Sequence, residues 1–155
     1  VELIEGYLVE KMSKSPLHCF VLDELSDLLR EFVREFEMWV RIEGPVTLNR
    51  SEPEPDISVF PGSRKDFKDC HPVTATLAIE ISITSLSLDR AKAEIYAQAG
   101  IPEYWIIRPE DGVIDVYRDP TDSGYQTVFA SKASDKLESS ALSGFEFNLQ
   151  ELLSS

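Results

Sequence analysis

The residues best placed to do chemistry are two carboxylates set in apolar strand patterns. Glu80 lies inside TLAIEISI, residues 76–83, the most apolar stretch of the chain. Side chains alternate along a strand, so Leu77, Ile79, Ile81 and Ile83 share one face and Ala78, Glu80 and Ser82 the other. A carboxylate inside a buried strand is costly unless it is paired, neutralised or bound to a metal. The plainer reading is an ion pair with a buried arginine or lysine. Asp56 follows Pro55 and opens DISVF, with Ile57 and Val59 on one face and Asp56 and Ser58 on the other. Alone it reads as a turn aspartate that caps a loop. Two such carboxylates, at the ends of sequential strands and beside small residues, leave room for a hard cation. Magnesium favours one or two carboxylates completed by water and substrate phosphate.

A basic partner is available in Lys92, four residues before Tyr96 in a helical pattern. Leu88, Ala91, Ile95 and Ala99 form the apolar stripe of that pattern, with Tyr96 at its margin, so Lys92 borders the stripe and can reach toward Glu80. The alternative is a solvated lysine paired with Glu94 or Asp89. His18 precedes Val21, Leu22 and Leu25 on the inner face of an earlier helix, as a core histidine or as a site residue. His71, beside Pro72 in a polar loop, receives no role. Trp105 and Tyr104 read as core.

These residues need a scaffold, and the pattern supplies a mixed α/β one. Residues 2–12, ELIEGYLVEKM, predict a β-hairpin with Glu5-Gly6 as its turn. Ser15 then serves as N-cap and Pro16 as first residue of a helix carrying Val21, Leu22, Leu25, Leu28, Leu29, Phe32, Val33 and Phe36 on its inner face. Residues 38–49 predict one extended strand interrupted at Gly44-Pro45, DISVF a short strand, and residues 63–75 a polar loop. After the strand of Glu80 comes a helix from Asp89 to Ala99, stopped by Gly100. EYWIIR and VIDVYR form a hairpin across PEDG. Residues 125–130 predict an edge strand, and FEFNLQELL a short strand followed by a helical turn. The whole chain, residues 1–155, reads as one domain. Because it opens at Val1 inside a strand pattern, N-terminal sequence is expected to be missing.

Composition narrows the classes. With 43% hydrophobic and 28% charged residues the chain is a globular protein, not a disordered one. No apolar run reaches the roughly 20 residues of a membrane span, so no membrane association is expected. Cys19 and Cys70 form no metal-ligand motif and read as reduced thiols, as in a cytoplasmic protein. The net charge of −13 argues against tight non-specific binding to DNA, which draws its affinity from Lys and Arg on phosphates. Arg64, Lys65, Lys68, Arg90 and Lys92 are the candidates for a local positive patch.

In their order, ELIEGYLVEKMS, HCFVLDELSDLL, PDISVF, IEIS, DRAKAEIYAQAGIPEYWII and VIDVYR resemble the Uma-two type family of restriction-endonuclease-like proteins, within the PD-(D/E)XK nuclease superfamily. YAQAGIPEYWII is the most specific segment. The resemblance implies a restriction-endonuclease-like fold: a mixed β-sheet flanked by helices, with an N-terminal hairpin. It equates Pro55-Asp56 with the family's PD element and Glu80 with its second acid. Ser82 stands where the superfamily usually carries its lysine, and Lys92 matches the lysine moved to the following helix. Asp89 lies closer to Lys92 than its counterpart does in relatives. His18 matches a histidine at the start of the first helix, and Glu2 an acid of the opening hairpin.

The implied activity is metal-dependent hydrolysis of phosphodiester bonds in nucleic acid, DNA foremost. Magnesium, or manganese in its place, would be held by Asp56, Glu80 and the backbone carbonyl of Ile81. Lys92 would orient or deprotonate a water or stabilise the phosphate, and His18 would assist. The competing reading is a binding or scaffolding protein that keeps the fold without the chemistry. A homodimer is expected if the apolar strand and hairpin at 101–118 exceed what one chain covers.

Overall fold

The computed structural model describes residues 1–11 and 14–155, so Ser13 and Met12, the last residue of the expected hairpin, lie outside it. The described hairpin pairs β1 (Glu2–Ile4) with β2 (Tyr7–Val9), antiparallel, with Glu2 opposite Val9. Glu5 and Gly6 form its two-residue turn with φ of 50° and 86°. Two successive positive φ values match the right-handed twist of the flanking strands and make glycine the natural second residue.

The first helix, α1, runs Pro16–Val33. Pro16 sits where an N–H would be unsatisfied in any case, and the Ser15 side chain accepts a hydrogen bond from the His18 N–H at 3.1 Å. Such a cap contributes about 1 kcal/mol. Val21, Leu22, Leu25, Leu29 and Val33 are buried, whereas Leu28 and Phe36, which the spacing also places inside, are exposed.

The central sheet has the strand order β3-β4-β5-β6-β7-β8. Its strands are β3 (Met38–Ile42), β4 (Ile57–Pro61), β5 (Leu77–Ile81), β6 (Glu103–Arg108), β7 (Val113–Thr121) and β8 (Gly124–Lys132). Only β5 and β6 run parallel, joined through α2 (Leu86–Gln98); their neighbours pair antiparallel. The alternation read from β5 holds. Leu77, Ile79 and Ile81 pack against α1 with Ile57, Val59, Trp105 and Ile107. Ala78 packs on the opposite face with Tyr96, Tyr104 and Ile106 beneath α2. A short tail pairs β9 (Lys136–Glu138) with β10 (Glu146–Asn148) and ends in α3 (Leu149–Leu153). It adds Leu137, Phe145, Phe147 and Leu152 to the α1-side core.

Three expectations are corrected. The strand predicted over 38–49 ends at Ile42, because Glu43 turns with φ of 53° and Pro45 has no N–H to continue a ladder. The second helix starts at Leu86, three residues before Asp89. Its inner face is rotated from the predicted stripe: Asp89, Lys92, Ala93 and Tyr96 are buried, while Ala91 is exposed. The apolar surface that motivated a homodimer is covered within the chain, since Ile101, Tyr104, Trp105, Ile106 and Ile107 are all fully buried. Among the described residues no helix is long and apolar enough to cross a membrane.

Candidate active site

Asp56 and Glu80 meet because β4 and β5 pair antiparallel with Ile57 opposite Ile79. This register brings the entry of β4 beside the end of β5. The two acids then hold one another through the main chain. The Asp56 N–H donates to Glu80 Oε1 at 3.1 Å, and the Ile81 N–H donates to Asp56 Oδ2 at 2.7 Å. Both carboxylates are only 3% exposed. They line a cavity of about 540 Å³ that also receives His18, Lys92, Ile81 and Glu2. The predicted site residues, drawn from α1, β4, β5 and α2, thus stand around one cavity.

His18 is fixed by the N-terminal turn of α1, and its Nε2 lies 3.2 Å from Asp56 Oδ2. A carboxylate accepts only, so Nε2 carries the proton. His18 Nδ1 is buried with no hydrogen-bond partner among the described residues. Lys92 lies on the inner face of α2. Its Nζ donates to Glu80 Oε2 at 2.8 Å and to Glu2 Oε1 and Oε2 at 2.9 and 3.0 Å, with Asp89 Oδ1 at 3.8 Å. The Tyr96 hydroxyl donates to Glu80 Oε2 at 3.2 Å, and the Ser85 hydroxyl to Asp89 Oδ2 at 2.6 Å.

Three of these contacts were not read from the sequence. Glu2 is buried against Lys92, and its signal was a charge sharing a strand face with the apolar Ile4. Tyr96 is central to the inner face of α2, not marginal to it. Lys14, whose Nζ lies 3.3 Å from Asp56 Oδ1, carried no sequence signal at all. The expected positive patch does not form as read, because Lys92 is enclosed by carboxylates and Arg64 and Lys65 lie beyond the far end of β4.

The environment separates the two acids. Burial works to raise Asp56, but the His18 hydrogen bond, the Ile81 N–H and the cationic charges of His18 and Lys14 outweigh it and lower its pKa to about 2. Burial pushes Glu80 up to about 8, with Lys92 pulling against it and Asp56 and Asp89 adding to the rise. Burial also disfavours the Lys92 ammonium, yet Glu80, Glu2 and Asp89 overcome it and hold the amine charged beyond its ordinary range.

Four buried acids, Glu2, Asp56, Glu80 and Asp89, therefore face two ammonium groups and one imidazole. Among the described residues no group of three or more His, Cys, Asp and Glu is arranged to hold a metal ion. Asp56 and Glu80 are the two carboxylates that would hold a hard divalent cation, with water completing its shell.

The family model described as "Putative restriction endonuclease", Uma2, matches residues 1–150. The chain belongs to the Uma2 family. The Uma2 chain is also similar to a solved structure from Anabaena variabilis, titled as a putative nuclease belonging to DUF820. The TM-score is 0.86 and the identity 21%, covering 99% of this chain and 89% of that one. At that identity the likeness establishes the fold, a mixed sheet flanked by helices with an N-terminal hairpin. No curated protein matches the Uma2 chain.

Proposed function

We propose that this Uma2 protein is a divalent-metal-dependent nuclease that hydrolyses phosphodiester bonds in nucleic acid, DNA foremost. The observation that carries the proposal is the reciprocal hold between Asp56 and Glu80. Two distant acids are fixed at one cavity, with the Lys92 amine 2.8 Å from the second. Family membership and the named nuclease of the same fold support it.

Magnesium, or manganese in its place, would be held by Asp56, Glu80 and the Ile81 carbonyl. When bound it supplies charge neutralisation at the phosphodiester and a more acidic water. The chain's own residues prepare that site. His18 fixes the rotamer of Asp56, and the Ile81 N–H keeps Asp56 ionised. Lys92 and Tyr96 hold Glu80 in the cavity wall.

Isothermal titration with manganese and cleavage of a plasmid substrate test the reading together. Wild-type protein is expected to bind one ion and to nick DNA. Asp56→Ala and Glu80→Ala are expected to lose both by at least about a hundredfold, the scale of losing a metal ligand's support. Cleavage that persists unchanged in both variants ends the proposal. A second reading, a nucleic-acid or protein binder without catalysis, is favoured by one observation. Every oxygen of Asp56 and Glu80 already accepts from a protein donor. It predicts a folded protein that takes up no divalent ion.

A further inference from the structure

We propose that Lys14, and not Lys92, is the amine that meets the substrate phosphate; this rests on the nuclease reading above. An ammonium group has three N–H donors. Those of Lys92 are all committed, to Glu2 Oε1, Glu2 Oε2 and Glu80 Oε2, and the side chain is only 3% exposed. Lys92 can donate to a phosphate only by abandoning a buried carboxylate, a break that costs several kcal/mol. It is a positioning residue: it sets Glu80 and clamps the hairpin through Glu2.

Lys14 differs in each respect. It lines the same cavity, its side chain is 28% exposed, and its ammonium makes one long hydrogen bond, 3.3 Å, to Asp56 Oδ1. Its other carboxylate, Glu43 Oε1, lies at 3.9 Å and is itself half-exposed. Among the described residues Lys14 therefore keeps donors to spare. Lys11, the remaining amine of the cavity, is tied to the Glu54 carbonyl at 2.8 Å.

The oxygen that Lys14 occupies sharpens the assignment. Asp56 Oδ2 is taken by the Ile81 N–H and His18, whereas among the described residues Oδ1 accepts only from Lys14. Oδ1 is thus the oxygen a divalent cation would contest, and a cation held there would repel the ammonium. The flexible lysine stem would let the displaced ammonium turn from Asp56 to an anionic phosphate in the same cavity. In a protein of net charge −13, an amine that guards the acid before the metal binds and receives the substrate afterwards is economical. It supplies attraction only at the site, and so fits weak non-specific affinity elsewhere.

Lys14→Gln and Lys14→Arg test this by calorimetry with manganese and by fluorescence anisotropy with a labelled duplex at several salt concentrations, calcium replacing manganese. For Lys14→Gln, divalent affinity is expected to tighten several-fold because the competing cation is gone. Duplex affinity is expected to weaken about five- to tenfold, and the slope of log K against log salt to fall by about 0.9, one phosphate contact. In turnover KM should rise with kcat little changed, and Lys14→Arg should restore duplex affinity. Unaltered duplex affinity and salt slope in a folded Lys14→Gln protein overturn the assignment and leave Lys14 as a counter-ion to Asp56. Wild-type protein that binds duplex without cleaving it overturns the nuclease reading instead, and the salt slope still decides Lys14. Wild-type protein that binds no duplex overturns both.

Discussion

Replacing Lys92 with methionine keeps the length and apolar stem of the side chain and removes only the charge. The variant leaves Glu2 and Glu80, at 2% and 3% exposure, facing one another with no ammonium between them. Removing one partner of a buried ion pair costs about 3–5 kcal/mol, and a second stranded carboxylate argues for the upper half of that range. Domain stability is commonly about 5–15 kcal/mol, so Lys92→Met should fold but unfold at much lower urea. The loss must also depend on pH. Burial already raises Glu80 from 4.5 to about 8, and without Lys92 it rises further. A carboxyl whose folded pKa lies above its unfolded value takes up a proton on folding, so folding is favoured by acid. The destabilisation is therefore greatest at alkaline pH, shrinks as the pH falls to about 8, where the wild-type carboxyl takes up its own proton, and is level below that. Urea unfolding of wild type and variant at pH 9, 7 and 5 measures it directly. A difference under about 1 kcal/mol at pH 9, or one independent of pH, would show that Lys92 is not the counter-charge of a buried cluster.

Other consequences can be checked on the same instruments. Asp56, lowered from 3.8 to about 2, contributes about 2–3 kcal/mol that is present above pH 4 and lost as pH falls through 2. Asp56→Asn should accordingly be less stable than wild type at pH 5–7 and converge with it in acid unfolding near pH 2. Tyr96→Phe deletes one donor to Glu80 Oε2 in a fully buried position and should cost about 1.5–3 kcal/mol by urea midpoint at neutral pH. Gly100 closes α2 with φ of +74°, and a Cβ there would meet nothing within 4 Å. Gly100→Ala should therefore lose only the left-handed backbone penalty, about 1–2 kcal/mol, and Gly100→Asn less.

Much of this arrangement was legible because it rests on local periodicity. The alternation of LAIEI placed Glu80 on the opposite face from Leu77, Ile79 and Ile81, and the Ser15-Pro16 start placed His18 in the first turn of α1. Where local rules misled, charge had replaced apolarity on an inner face. The inward stripe of α2 contains Asp89 and Lys92, so a search for hydrophobic spacing settled on Leu88, Ala91, Ile95 and Ala99 and rotated the helix. Residues 43–49 kept a strand-like composition, but one positive φ at Glu43 and a proline at 45 ended the ladder. β9, three residues long, is held by its pairing with β10 and by packing of Leu137, neither of which shows in its own sequence. Lys14 lay beyond reach for a related reason, since its place on Asp56 depends on how the chain passes from hairpin to helix.

The contacts that complete the cavity span long stretches of chain: 24 residues from Asp56 to Glu80, 42 from Lys14 to Asp56, and 90 from Glu2 to Lys92. Closing loops of that length costs entropy before any bond repays it, so the Glu2–Lys92 contact cannot form until the hairpin docks on α2. A chain with its sheet and α1 already formed but its hairpin still loose would have acids without their settled partners. On the nuclease reading proposed above, competence would arrive together with the finished native state, and partly folded copies would cut nothing.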